Sequence, residues 1–179
     1  GSPVITTVGR VSIRKGQSQV IKMLPALLND YPNIHYHCVG ILGESEAFLT
    51  EAKQLGVEGH ITFHGVLDDG DLKRVLSASD VFVMLSQESS TGDIEGFGIA
   101  ILEANIIGIP AIGSKNSGIE DAIKDGISGF LIDGNDSKAF VNSVTSILQQ
   151  KVVFQENSIE WAKQHDWSDI IKRYIALIP

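Results

Sequence analysis

The chain has 179 residues, 43% of them hydrophobic and 20% charged, with a formal net charge of −8, enough apolar material for one core and the composition of an ordinary globular domain. The acidity argues against a nucleic-acid partner, which calls for a basic face, and gives no electrostatic pull toward anionic lipid. Cys38 is the only cysteine, so an intrachain disulfide is excluded, and no apolar run is long enough to span a bilayer. With no signal-peptide pattern in the sequence as written, a cytoplasmic location is expected. Gly1-Ser2 looks like a vector scar, so the natural chain is expected to extend upstream of Pro3.

Val4-Ile-Thr-Thr-Val-Gly9 reads as a first buried strand, followed at once by Arg10, Arg14, Lys15 and Gly16. A helical run then puts Val20, Leu24, Leu27 and Leu28 on one face, and Pro25 is expected to kink it or to make its last part irregular. Ile34 to Val39 is a second strand closed by Gly40 and Gly43, and a helix is expected from about Glu44 to Leu55. His60 to His64 is a third strand, Gly65-Val66-Leu67 leads out of it, and a short helix runs through Leu76.

Val81-Phe-Val-Met-Leu85 is apolar throughout, the mark of a parallel strand buried on both faces. Gly92, Gly96 and Gly98 then loosen the backbone, and from Phe97 the pattern turns helical, with Leu102 and Ile106 expected against the sheet. A strand, a glycine-bearing turn and a helix start place free N–H groups and partial positive charge around a phosphate-sized space. Glu95 sits at the mouth of that turn. Glu103 lies between one and two helical turns further on, with its Cα on the order of 12 Å away, a span that fits a sugar diphosphate and its ribose. A carboxylate suits neighbouring sugar hydroxyls because it offers several lone pairs and no donor. Either glutamate alone is more simply a solvated surface charge; the strand and glycines around them favour the ligand reading.

Beyond it, Ile109 to Gly113 is a short strand, Ile119 to Ile123 a helix, and Gly129 to Ile132 the next strand. Phe140, Val144, Ile147 and Leu148 form a helical stripe capped by Asn135 or Asp136. Asn157 with Glu160 resembles a capping pair for another helix. Ile171, Tyr174, Ile175 and Ile178 stripe the last one, from about Ser168. Apolar strands alternating with helices predict an α/β fold: a Rossmann-like parallel sheet with helices on both faces, one domain over residues 1–179.

In such a sheet ligands bind outside the carboxyl ends of the strands, where the strand order reverses. Arg10 and Lys15 follow the first strand, Gly65 to Leu67 the third, and Glu95 the fourth. If those strands are neighbours, two cations and a helix N-terminus converge, which is the counter-charge a diphosphate needs. The plainer alternative is that Arg10, Arg14 and Lys15 form a solvated basic loop. Three other patterns carry less. Asp69-Gly-Asp71 imitates a metal-binding Asp-x-Asp, but it opens a helix with Asp71 as a natural N-cap and no further ligand nearby. His35 and His37 share one strand face and lack the further ligands of a zinc site. Gly40-Ile-Leu-Gly43 lacks the third glycine of the dinucleotide fingerprint.

Together these residues resemble the C-terminal, donor-binding domain of retaining GT-B glycosyltransferases of family four. The resemblance rests on Val8-Gly-Arg10 with Lys15-Gly16, Val39-Gly40, Phe63-His-Gly65 and Glu95-Gly-Phe-Gly98 through Glu103-Ala104. Ile109-Pro-Ala-Ile112, Ser117-Gly-Ile-Glu120 and Asp125-Gly-Ile-Ser-Gly129 follow in the same order, and nearly all of the chain is covered. Asp93-Ile-Glu-Gly-Phe-Gly98 looks most like the phosphatidylinositol mannosyltransferase-type members, a lean toward GDP-mannose.

The resemblance implies one half of a GT-B fold and, for the whole enzyme, transfer of a hexose from a nucleoside-diphosphate sugar to an acceptor hydroxyl on a glycan or lipid. It implies that Arg10 and Lys15 clamp the donor diphosphate, that Glu95 touches the sugar hydroxyls, and that Gly96, Phe97, Gly98 and Ile99 offer backbone N–H groups to sugar and phosphate. Glu103 would hold the ribose, with Gly65, Val66 and Leu72 beside the base. No cofactor and no obligatory metal are implied. The family carries an acceptor domain N-terminally, which this chain is expected to lack, so it is expected to bind donor without turning it over. The implied partners are the nucleotide sugar and that missing domain, with the whole enzyme in the cytoplasm or peripheral at the cytoplasmic face of a membrane. Two departures stand out: the loop from Ser86 to Ile94 is longer than in the commonest members, and Ser117-Gly118 stands where two glycines are frequent. The alternatives are a GT-B-fold nucleotide-sugar epimerase and a non-catalytic nucleotide-binding module. A phosphoacceptor receiver domain would need an acidic pair where Arg10 stands.

Overall fold

The computed structural model describes residues 2–89, 92–166 and 175; apart from Ile175, the helix expected from Ser168 lies outside them. The strands are β1 (Val4–Val8), β2 (His35–Val39), β3 (Ile61–Gly65), β4 (Val81–Met84), β5 (Ala111–Ser114) and β6 (Gly129–Ile132). The helices are α1 (Gln17–Asp30), α2 (Ser45–Gln54), α3 (Asp69–Ser77), α4 (Ile99–Ile106), α5 (Ser137–Gln149) and α6 (Lys151–Lys163), with 3-10 turns at Ile13–Lys15, Glu58–His60 and Gly118–Ala122. All pairings are parallel and the sheet order is β3-β2-β1-β4-β5-β6. The order reverses between β1 and β4, so a crevice opens above their carboxyl ends.

The apolar run at 81–85 feeds both faces of that sheet. Val81, Val83 and Leu85 join one core with Val20, Ile21, Leu24 and Leu27 of α1 and Phe140, Val144 and Ile147 of α5. Phe82 and Met84 point the other way, into a second core with Leu76 of α3 and Ile101 and Ala104 of α4. Each fully buried aliphatic or aromatic side chain contributes about 1.5–3 kcal/mol. The strand behind the crevice is therefore anchored on both faces of the sheet.

Helix α1 continues through Pro25 to Asp30, with Leu24 and Leu27 fully buried beside the turn whose hydrogen bond proline cannot make. Three local expectations need correcting. Helix α4 starts at Ile99, because Gly98 is left-handed with φ 78°; its buried face is Ile101, Ala104 and Asn105, and Leu102 packs against the second core as expected while Ile106 is exposed. The cap of α3 is Asp68, whose carboxylate accepts from the Asp71 N–H at 2.8 Å, so Asp71 is inside the first turn. Asn157 and Glu160 lie inside α6, which begins at Lys151 with only Gln150 separating it from α5; Phe154, Ser158 and Ala162, four apart, form its buried stripe. The cap expected for α5 is Asp136, accepting from the Ala139 N–H at 2.9 Å.

On the face of β2 and β3 turned away from the first core, His37 Nδ1 meets His64 Nε2 at 2.8 Å and His35 Nε2 meets Thr62 Oγ1 at 2.8 Å. Half-burial, with His35 and His64 as like-charged neighbours, lowers His37 to about 4, and burial also lowers His35. The unfolded chain takes up these protons first, near 6.5, and stability then falls as pH falls. The thermal midpoint is therefore expected to be level above pH 6.5 and to drop between 6.5 and about 4, with a shallower drop in His37→Asn. Identical slopes in the two proteins over that window would refute this origin.

Candidate functional site

Lys15 follows β1 and Glu95 follows β4, and the strand order brings them together: Lys15 Nζ lies 2.8 Å from Glu95 Oε2. Arg14 Nη1 donates to the same oxygen at 2.7 Å, and Arg14 Nε lies 3.2 Å from Asp93 Oδ2. The Lys15 and Glu95 side chains are only 14% and 13% exposed, so this group is partly desolvated and its charge-assisted bonds are stronger than those of a surface pair. Arg14 and Asp93 are absent from the sequence-derived site. Their signal was thin: a second base beside Lys15, and a second acid two residues before Glu95.

The backbone around this group is held from several sides. Gly16 is left-handed with φ 80°, and a Cβ there would lie 1.9 Å from the Leu85 carbonyl oxygen; only glycine lets the turn carrying Lys15 pass the end of β4. The Lys15 stem crosses Gly9, and Arg10 crosses Gly43. Gly118 donates its N–H to the Glu95 carbonyl at 3.0 Å, and a Cβ on it would lie 2.2 Å from the Gly96 carbonyl oxygen. Of the Ser117-Gly118 pair, then, the second position is the one that must be glycine, while Ser117 Oγ donates to the Ser114 carbonyl at 3.2 Å. Phe97 packs into the second core and its ring centroid lies 6.1 Å from that of His165, which tethers the 95–98 turn to the end of α6. Gly98 brings no capping side chain to α4, and the first-turn N–H groups of a helix have no intrahelical acceptor. Gly96 and Ile99 are exposed and Gly98 is buried in the turn that joins Glu95 to α4.

Arg10 is exposed and, with Arg14, Glu44 and Asp93, lines a cleft of about 480 Å³. A second cleft of about 200 Å³ brings Leu72 and Glu103 together, with Asp69, Lys73 and Ile107 around them. Gly65 ends β3, and its carbonyl accepts from the Gly40 N–H at 2.8 Å. Val66, just beyond, is 75% exposed and lies outside the lining of either cleft. Burial raises the Cys38 thiol to about 12 and removes it from any reaction at neutral pH. Among the described residues no group of three or more His, Cys, Asp or Glu is placed to hold a metal ion, and no helix is long and apolar enough to cross a membrane.

A family model described as glycosyl transferases group 1 matches residues 1–166. The chain is 32% identical over 147 residues to a GDP-mannose-dependent alpha-(1-6)-phosphatidylinositol monomannoside mannosyltransferase of Mycolicibacterium smegmatis, covering 82% of this chain and 38% of that protein. It is 28% identical over 184 residues to a D-inositol 3-phosphate glycosyltransferase of Corynebacterium urealyticum, covering 97% of this chain and 42% of the relative. Among solved structures, Anabaena Alr3699/HepE in complex with UDP and glucose superposes with a TM-score of 0.79 at 26% identity, over 97% of this chain and 47% of that one. The chain thus spans about two fifths of the curated relatives it matches.

Proposed function

The chain belongs to the glycosyl transferases group 1 family, and on that premise we propose that it is the donor-binding half of a retaining glycosyltransferase that moves a hexose from a nucleoside-diphosphate sugar to an acceptor hydroxyl of a glycan or lipid. The observation that carries this reading is the joining of Lys15 to Glu95 across the reversal of strand order. Lys15 and Arg10 supply counter-charge to the diphosphate, and the N–H groups of Gly96 to Ile99 surround its sugar end. Glu95 accepts from sugar hydroxyls, and Glu103 beside Leu72 receives the ribose. The acceptor is held by a second α/β domain, and the whole enzyme works in the cytoplasm.

Phosphate charge is met here by side-chain cations and helix N–H groups, so donor binding is expected to need no divalent metal. Titration calorimetry of this chain with GDP and UDP, each with and without a chelator, tests it. Equal affinities under both conditions are expected, with no sugar transfer by the chain alone. Binding lost with the chelator would remove the metal-free mechanism, and transfer by the isolated chain would remove the need for a second domain.

A further inference from the structure

Two of the cations that could meet a donor diphosphate, Lys15 and Arg14, are already committed to carboxylates. Glu95 Oε2 receives both Lys15 Nζ at 2.8 Å and Arg14 Nη1 at 2.7 Å, while Arg14 Nε faces Asp93 Oδ2 at 3.2 Å. Two cations, Arg14 and Lys15, thus stand against two carboxylates, Asp93 and Glu95. A guanidinium meets a carboxylate and a phosphate through the same pair of parallel N–H bonds. Whatever phosphate enters must compete with Glu95 for the same donors.

We propose that the Glu95 carboxylate is a built-in stand-in for the donor's phosphate and that Arg14 is a further phosphate-binding cation of this site. Donor entry exchanges the Arg14–Glu95 and Lys15–Glu95 pairs for pairs to phosphate, and the carboxylate so released turns to the sugar hydroxyls. The inference rests on the donor-half reading and adds to it an order of events and a residue. Exchange keeps the desolvated cations paired at every stage, which matters because an unpaired buried charge is far costlier than a swapped partner. It also favours a complete donor over a bare nucleotide, since only the donor brings hydroxyls to receive Glu95. The competing explanation is that Arg14 is only a fastener for the segment after β4. Its carbonyl does accept from the Gln87 N–H at 3.1 Å, and its side chain does hold Asp93.

The two explanations predict opposite signs. The probes are GDP, UDP and inorganic pyrophosphate, titrated into the 179-residue chain. Glu95→Gln keeps the shape of the side chain and removes its charge. It is expected to tighten all three probes by about threefold to tenfold, or about 0.7–1.4 kcal/mol at 1.4 kcal/mol per decade. Asp93→Asn, on the more exposed partner, is expected to tighten them less. Arg14→Ala weakens them, Arg14→Lys restores part of the loss, and the Arg14→Ala penalty is larger when Glu95→Gln is also present. Circular dichroism confirms that each variant is folded. Wild-type binding that is unchanged or weakened by Glu95→Gln overturns the stand-in, and Arg14→Ala without effect overturns the added cation, both leaving the donor-half reading intact. Failure of wild type and variants alike to bind GDP or UDP takes the donor-half reading down with it.

Discussion

Lys15→Ala, made in an enzyme that carries both halves, is expected to lower kcat by about 100-fold or more while the donor's KM changes by less than about threefold. Charge accumulates on the diphosphate as the glycosidic bond breaks, so a fixed cation favours the transition state over the bound donor. Loss of one such preorganised group costs about 3 kcal/mol in the rate. The ground state loses less, because Lys15 is not idle when no phosphate is near it. Its ammonium is paired with Glu95 at 2.8 Å, and a donor gains the lysine only by giving up that pair. Lys15 crosses Gly9 outside both cores, and Arg14 remains paired with Glu95 when the lysine is removed. Single-turnover measurement at saturating donor separates the terms. A change confined to KM, with turnover preserved, would make Lys15 a uniform binder and remove it from the chemistry.

How far the sequence reveals this site depends on how local each signal is. Strand β4 is legible because both of its faces are buried, which leaves an unbroken apolar run. Glu95 and Lys15 are legible because the glycines around them mark turns after strands. The ion pair from Arg14 to Glu95 is not legible, since it joins residues 81 apart and exists only because β1 and β4 are neighbours. The phase of α4 is hidden for a different reason. Ile99, Ala100, Ile101, Leu102, Ala104, Ile106 and Ile107 surround it with apolar side chains, so there is no polar face from which to read its rotation. Leu102 does pack, partly buried, against the second core, but Ile106 is exposed and Ile101 and Ala104 carry the fully buried face. The join between α5 and α6 is hidden because a single residue, Gln150, makes it, with no glycine or proline to mark it.

That rotation of α4 bears directly on Glu103. With Ile101, Ala104 and Asn105 turned to the core, Glu103 is exposed and shares a cleft of about 200 Å³ with Leu72, Lys73 and Asp69. A carboxylate in the second turn of a helix gains little from the dipole, which acts mainly within the first. As a solvated surface charge it would leave both stability and affinity alone, within about 0.5 kcal/mol. As the acceptor for ribose hydroxyls it makes charge-assisted hydrogen bonds that contribute about 1.5–3 kcal/mol. Wild type and Glu103→Ala, each titrated with a nucleoside diphosphate and with its 2′,3′-dideoxy analogue, form a double-mutant cycle that isolates this contact. The substitution is expected to weaken the ribose ligand by about tenfold or more, given 1.4 kcal/mol per decade, and to leave the dideoxy ligand nearly unchanged. Equal losses for both ligands would mean that Glu103 acts through the field or the helix and does not read the ribose. Because the side chain sits outside both cores, the thermal midpoint should not move, so a change in affinity cannot be put down to a damaged fold.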